Sequence, residues 1–299
     1  MRAMANVLSP RVAVPVLLVI ATAFGSNHVA ARIAFAHGTS VATAVTVRAA
    51  ATAVALLALL ALLGVSLHLA RADLQRLVAI GALVALQSAC LYSAVARMPV
   101  ALALLVFNLF PLLYTVLAWI AGERPPRRAA LAAPLAVMGL ALALEVGAST
   151  ARVAARGTAI GEGVLFAFAA AVTFAFVLFA NARWAAQVDG RLRTLVAMAT
   201  KAIVVGAMGA LTQAFAPPAD ATGWIALAAL TVLYGSAFVA LFAVLPRIGA
   251  AVNTVALNFE PVAALAIAWV LLGEALTPLQ VAGALLVVAA IVLLGLRRG

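Results

Sequence analysis

RMPVALALLVFNLFPLLYTVLAWIAGE, residues 97–123, and RIGAAVNTVALNFEPVAALAIAWVLLGE, residues 247–274, are two versions of one stretch, and reading them together decides the fold. Arg97, Asn108, Pro111 and Trp119 in the first stand 150 residues before Arg247, Asn258, Pro261 and Trp269 in the second, and the closing Gly122-Glu123 and Gly273-Glu274 stand 151 apart. Each stretch holds an apolar run of about 20 residues, enough to cross a roughly 30 Å hydrocarbon core at 1.5 Å per residue. A duplicated membrane unit is a frequent plan of secondary transporters, with substrate held between the halves.

Outward from this pair the rest of the chain reads the same way. It is 68% hydrophobic and 9% charged, with a mean hydropathy of +1.23, which excludes a soluble protein. Apolar segments fall at residues 12–33, 41–64, 74–95, 99–121, 130–148, 158–180, 194–215, 222–245, 249–272 and 277–296. They are rich in Ala, Leu and Val without period-2 alternation, so they predict helices rather than a β-barrel. The expectation is an all-α integral membrane protein with ten transmembrane helices. The loops are too short for a separate soluble domain. Arg2, Arg11, an apolar run and Ala21-Thr22-Ala23 imitate a cleavable leader; the segment is read as the first span, because cleavage would leave nine and destroy the repeat.

The net charge of +11 is not a nucleic-acid footprint, because the cations punctuate segment ends. With the N-terminus in the cytoplasm, thirteen of the nineteen Lys and Arg face inward, among them Arg71, Arg76, Arg124, Arg127, Arg128 and Arg183. Arg32, Arg97, Arg152 and Arg156 face outward, and Arg48 and Lys201 lie inside segments. The positive-inside rule places both termini in the cytoplasm. Five spans in each half, 12–148 and 158–296, make the second half upside down relative to the first, with residues 149–157 as the seam. Arg48 and Lys201, each about seven residues into its span from opposite faces, read as matching depths under an in-plane two-fold axis. Cys90 is the only cysteine, so no intrachain disulfide forms; it reads as a small core residue.

Phe24-Gly25-Ser26-Asn27, Asn258-Phe259-Glu260-Pro261 and Leu272-Gly273-Glu274 resemble the EamA-type drug/metabolite transporters. The resemblance covers nearly the whole chain, with Pro…Trp…Gly-Glu in both halves. It implies a ten-helix exporter of two inverted five-helix repeats in a bacterial-type inner (plasma) membrane. Within that superfamily the chain is similar to the YddG-type aromatic amino-acid exporters, although it has Phe24-Gly25-Ser26 where they would carry Trp-Ser-Thr. The resemblance thus implies amino acids, aromatic or neutral, as the substrate class.

The residues themselves offer alternatives. Pro111 and Pro261 lie near the middle of their spans; each is a hinge or a static kink. Asn108 and Asn258, three residues earlier, bind a substrate amino or carboxylate group or hold a neighbouring helix. Glu260 is a mid-membrane acid, either a proton-coupling group or a structural partner of Arg48 or Lys201. Arg48 suits bidentate capture of a carboxylate and Lys201 capture as a point charge, and both can instead snorkel. Asn27 and His28 follow the Gly25-Ser26 break; His28 handles protons or is a hydrogen-bonded core histidine. Tyr92, Gln87, Ser88, Tyr234 and Ser236 line a cavity for a small zwitterion or bond between helices. Trp119, Trp184, Trp224 and Trp269 read as interfacial belt residues. The chain has no P-loop, no H-E-x-x-H and no Cys/His cluster. No cofactor or metal is therefore expected, and a single central carboxylate argues against an enzyme. The expected partners are a small-molecule substrate and the lipid bilayer, with no nucleic acid and the oligomeric state open. The leading function is export of small metabolites, amino acids first, by alternating access; an exporter of drug-like compounds and an uncoupled facilitator are the rivals.

Overall fold

Ala- and Leu-rich sequence of this kind satisfies its backbone groups within each segment, the only option in hydrocarbon besides a closed barrel. The computed structural model describes residues 10–123, 129–143, 150–244, 259–274 and 277–295. These are α1 (Pro10–Ala36), α2 (Val41–Leu62), α3 (Arg71–Arg97), α4 (Val100–Phe107), α5 (Phe110–Ile120), α6 (Ala129–Ala143), α7 (Thr150–Trp184), α8 (Gly190–Leu211), α9 (Ala221–Val244), α10 (Glu260–Leu272) and α11 (Pro278–Gly295). No strand occurs among the described residues. Seven helical stretches there are long and apolar enough to span a membrane, α4 and α5 together forming one, and shorter apolar helices cover Pro134–Ala143, Val262–Leu272 and Pro278–Ala290. Arg247 and Asn258 lie outside the described residues.

Two boundaries differ from the sequence reading. The stretch taken as a seam is helical from Thr150, because its Ala- and Arg-rich sequence favours helix. The helix carrying Lys201 starts at Gly190, one turn early, because Asp189 caps it by accepting the Arg191 N–H at 2.8 Å.

The helices pack in a pattern that survives exchange of the halves. Replacing α1, α2, α3, α4–α5 and α6 by α7, α8, α9, α10 and α11 turns each main contact into another. The α3–α7 pair becomes α9–α1, α3–α8 becomes α9–α2, and α7 against α4 and α5 becomes α1 against α10. The pairs α2–α8 and α6–α11 map onto themselves. At the α6–α11 contact Gly139 and Gly283 face each other. A Cβ on Gly283 would stand 2.4 Å from Ala143 N and from Gly139 O, and one on Gly139 would stand 2.7 Å from Gly283 O. Small residues let membrane helices approach backbone to backbone, as here.

The repeated Gly-Glu is a helix stop. Gly122 and Gly273 have φ of +90° and +65°, a left-handed conformation that glycine adopts freely. After Gly122 the chain folds back, with the Glu123 N–H on Ala118 O at 2.9 Å. The two glutamates then part company. Glu123 pairs with Arg183 at 2.8 Å in water. Glu274 reaches into the other half, where its Oε2 accepts the Val100 N–H at 3.1 Å and caps α4. Burial pushes the Glu274 carboxyl above its ordinary range, against the opposing pull of that N–H and of Arg32.

Candidate functional site

Six helices each send a polar side chain to one cluster inside the apolar bundle: Asn27 from α1, Arg48 from α2, Tyr92 from α3, Lys201 from α8, Tyr234 from α9 and Glu260 from α10. Three come from each half. Arg48 and Lys201 are 2% and 0% exposed, so neither snorkels to the interface. The expected match in depth does not hold. Arg48 stands seven residues into α2, whereas the early start of α8 puts Lys201 eleven residues in. Both cations instead converge on Tyr234.

Arg48 is held on three sides. Its guanidinium carbon lies 4.1 Å from the ring centre of Tyr92 and 3.9 Å from that of Tyr234. Its Nη1 donates to Tyr92 Oη and, at 3.4 Å, to Asn27 Oδ1. Tyr92 Oη donates to the same Asn27 oxygen at 2.8 Å, so one amide oxygen ties α1, α2 and α3 together. Lys201 Nζ donates to Tyr234 Oη at 3.0 Å and to Ser88 Oγ at 3.5 Å. Gly81, one face along α3 from Ser88, makes this reach possible. A Cβ there would stand 2.6 Å from Thr200 Cβ, so α3 and α8 touch beside Lys201.

Glu260 pairs with neither cation. Its Oε1 lies 3.2 Å from His28 Nε2, with the carboxylate partly exposed and the imidazole buried. Gly25 explains the choice of partner. A Cβ on Gly25 would stand 2.9 Å from Glu260 O and Ala264 N, so α1 lies directly on the first turn of α10. His28, three residues on and on the same face, is thereby brought to the Glu260 carboxylate. The His28 ring lies 5.6 Å from that of Tyr92, which joins the pair to the Arg48 group. His28 Nδ1 is buried without a partner among the described residues.

Pro111 and Pro261 lie in the first turns of α5 and α10, and at Asn108-Leu109 the span divides into two helices. Asn108 serves that break: its Nδ2 donates to Leu104 O at 2.7 Å. It does not join the cluster, and Asn258 lies outside the described residues.

Phe24, Met198 and Phe238 complete the surroundings and were not singled out as site residues from sequence. Phe24 and Phe238 meet edge to face at 5.1 Å, and each also packs on the Tyr234 ring. Met198 Sδ lies 3.7 Å from Tyr234 Oη. Their helical spacing from polar neighbours, Met198 three before Lys201 and Phe238 four after Tyr234, is the signal that finds them. A separate cavity of about 80 Å³ between α4, α10 and α11 is lined only by aliphatic side chains, Leu102, Leu105, Val262 and Val281 among them. No group of three or more His, Cys, Asp or Glu suited to a metal occurs among the described residues.

The model of the EamA-like transporter family matches residues 11–144 and again residues 161–296. No curated protein matches the chain. Eleven solved chains do. One of them, described only as "Crystal structure of protein", is 21% identical, with a TM-score of 0.63 over 95% of this chain and 96% of its own. At that identity it speaks for the fold alone.

Proposed function

Because the chain belongs to the EamA-like transporter family, both halves matching its model, we propose that it exports small polar metabolites, amino acids foremost, by alternating access between two inverted five-helix repeats. The membrane is a bacterial-type inner membrane, with ten spans and both termini in the cytoplasm. One observation carries this reading. Among the described residues the two fully buried cations, Arg48 and Lys201, lie where Asn27, Arg48 and Tyr92 of the first repeat meet Lys201, Tyr234 and Glu260 of the second. Polar and ionised groups are costly in a membrane interior and stand there for a pathway. A site shared between the repeats is one that their relative rocking exposes to each side in turn. The helix break at Asn108-Leu109 supplies a bending point in its span, and Pro261 stands in the first turn of α10 in the equivalent span.

The His28–Glu260 pair gives this transporter a titratable couple within the cluster, which favours proton-coupled export over a facilitator. The test is counterflow in proteoliposomes loaded with unlabelled amino acid, following uptake of the labelled compound with and without a pH gradient. Uptake above empty liposomes, abolished in Lys201→Ala and accelerated by the gradient only while Glu260 is present, is the expected result. Folded protein that takes up no aromatic, neutral, basic or acidic amino acid removes the amino-acid reading.

A further inference from the structure

We infer that the unengaged edge of Arg48 is a carboxylate-binding fork, and that the transported compound must present a free carboxylate to it; this rests on the transport reading above and names the group recognised. A guanidinium offers three donor edges in one plane. Here the Tyr92 and Tyr234 rings crowd the guanidinium carbon at 4.1 and 3.9 Å, which leaves an unengaged edge as the way in for a ligand. Nη1 is spent on Tyr92 and Asn27. Nε is buried without a partner among the described residues, and the hydrogen bonds that the Arg48 side chain donates there leave from Nη1. The Nε–H and Nη2–H bonds run parallel, at the spacing of the two oxygens of a carboxylate. A planar carboxylate matches two parallel donors side by side, whereas a tetrahedral phosphate adds oxygen atoms outside that plane. Buried donors are nearly always satisfied in proteins, so an unpartnered Nε on an Arg 2% exposed marks a ligand's place.

Charge points the same way. Of the eight acidic residues, Asp73, Glu123, Glu162, Asp189 and Asp220 pair with Arg76, Arg183, Arg97, Arg191 and His37. Glu274 caps α4, Glu260 faces His28, and Glu145 lies outside the described residues. Neither Arg48 nor Lys201 has a carboxylate within ion-pair distance among the described residues. Arg48 thus has no carboxylate in direct contact among the described residues, and an incoming one meets an unpaired guanidinium.

The test reads binding without transport. Thermal unfolding of the purified full-length protein is followed with 3-phenylpropionate, 3-phenylpropionamide, phenethylamine and inorganic phosphate. The carboxylate is expected to stabilise the protein, with the amide, the amine and phosphate at least about tenfold weaker. Arg48→Lys, which keeps the charge and loses the fork, and Arg48→Gln should each weaken the carboxylate by roughly ten- to a hundredfold. Equal effects of acid and amide, stabilisation by phosphate alone, no stabilisation by any compound, or full binding by Arg48→Gln would each overturn the proposal. Where a variant does not fold, the acid–amide comparison on the unaltered protein decides. Carboxylate binding without counterflow of any amino acid would sink transport and keep the fork; counterflow indifferent to the carboxylate would do the reverse.

Discussion

Gly283→Ala adds one methyl group at the tightest point of the α6–α11 contact. Its Cβ would lie 2.4 Å from two backbone atoms, Ala143 N and Gly139 O, where contacts under 3.0 Å force something to shift. Backbone cannot rotate aside as a side chain does, so the helices must separate by about 1 Å along the seam. Overpacking of this kind costs about 1–3 kcal/mol, and with two backbone contacts the upper figure applies. Alanine returns about 1 kcal/mol through helix propensity. The net loss is about 2 kcal/mol, a factor of roughly 30 in the folded-to-unfolded ratio. The assay is equilibrium unfolding in mixed micelles, monitored by helix content and tryptophan fluorescence. Gly161→Ala is the internal control, since nothing lies within 4 Å of the Cβ it adds to α7 and propensity alone predicts a gain of about 1 kcal/mol. A Gly283→Ala protein as stable as the parent would refute the reasoning, whatever Gly161→Ala does.

Further outcomes follow from the polar contacts. Tyr234→Phe keeps the ring beside Arg48 and removes the 3.0 Å acceptor of Lys201, leaving Ser88 at 3.5 Å, so unfolding should show a loss of about 2 kcal/mol. The double variant Tyr234→Phe with Lys201→Met should lose less than the single one, because no buried amine is left without its nearer acceptor. Glu274 binds its proton more tightly folded than unfolded, because burial raises it. Its contribution is therefore full at pH below the unfolded carboxylate value and lost as pH rises through the folded one; a Tm profile from the carboxylate range to neutrality should fall, and flatten in Glu274→Gln. Arg183→Ala breaks a pair whose side chains are about half exposed, and a Tm change worth more than about 1 kcal/mol would contradict its placement in water.

The legible parts of this fold were those with local physical grammar. Gly122 and Gly273 read as stops because a helix that ends on a left-handed residue wants glycine there. Pro111 and Pro261 read as interruptions because proline lacks a donor, although a full division of the span at Asn108-Leu109 went beyond the kink expected. The early start of α8 was also written locally, in Asp189, and misplacing it by one turn produced a false symmetry between Arg48 and Lys201. Partner choice was not legible. Glu260 faces His28 rather than Arg48 or Lys201 because Gly25 lets α1 lie on α10, a contact between residues far apart in the chain. The role of Glu274 was not legible either, because its partner is a backbone N–H, which leaves no trace in side-chain chemistry.

That N–H also sets the two ends of the molecule apart. Two identical halves exchanged by a two-fold axis would leave inward-open and outward-open forms equal in energy, and the carrier would rest at even odds. Here the matching glutamates are spent differently: Glu274 on a half-buried helix cap in the opposite repeat, Glu123 on a water-exposed ion pair. A cap is worth about 1 kcal/mol and an exposed pair close to nothing. On the alternating-access reading proposed above, parting the Glu274 end costs roughly that amount more, a bias of about fivefold. Two halves that duplication made alike are thus told apart at one carboxylate.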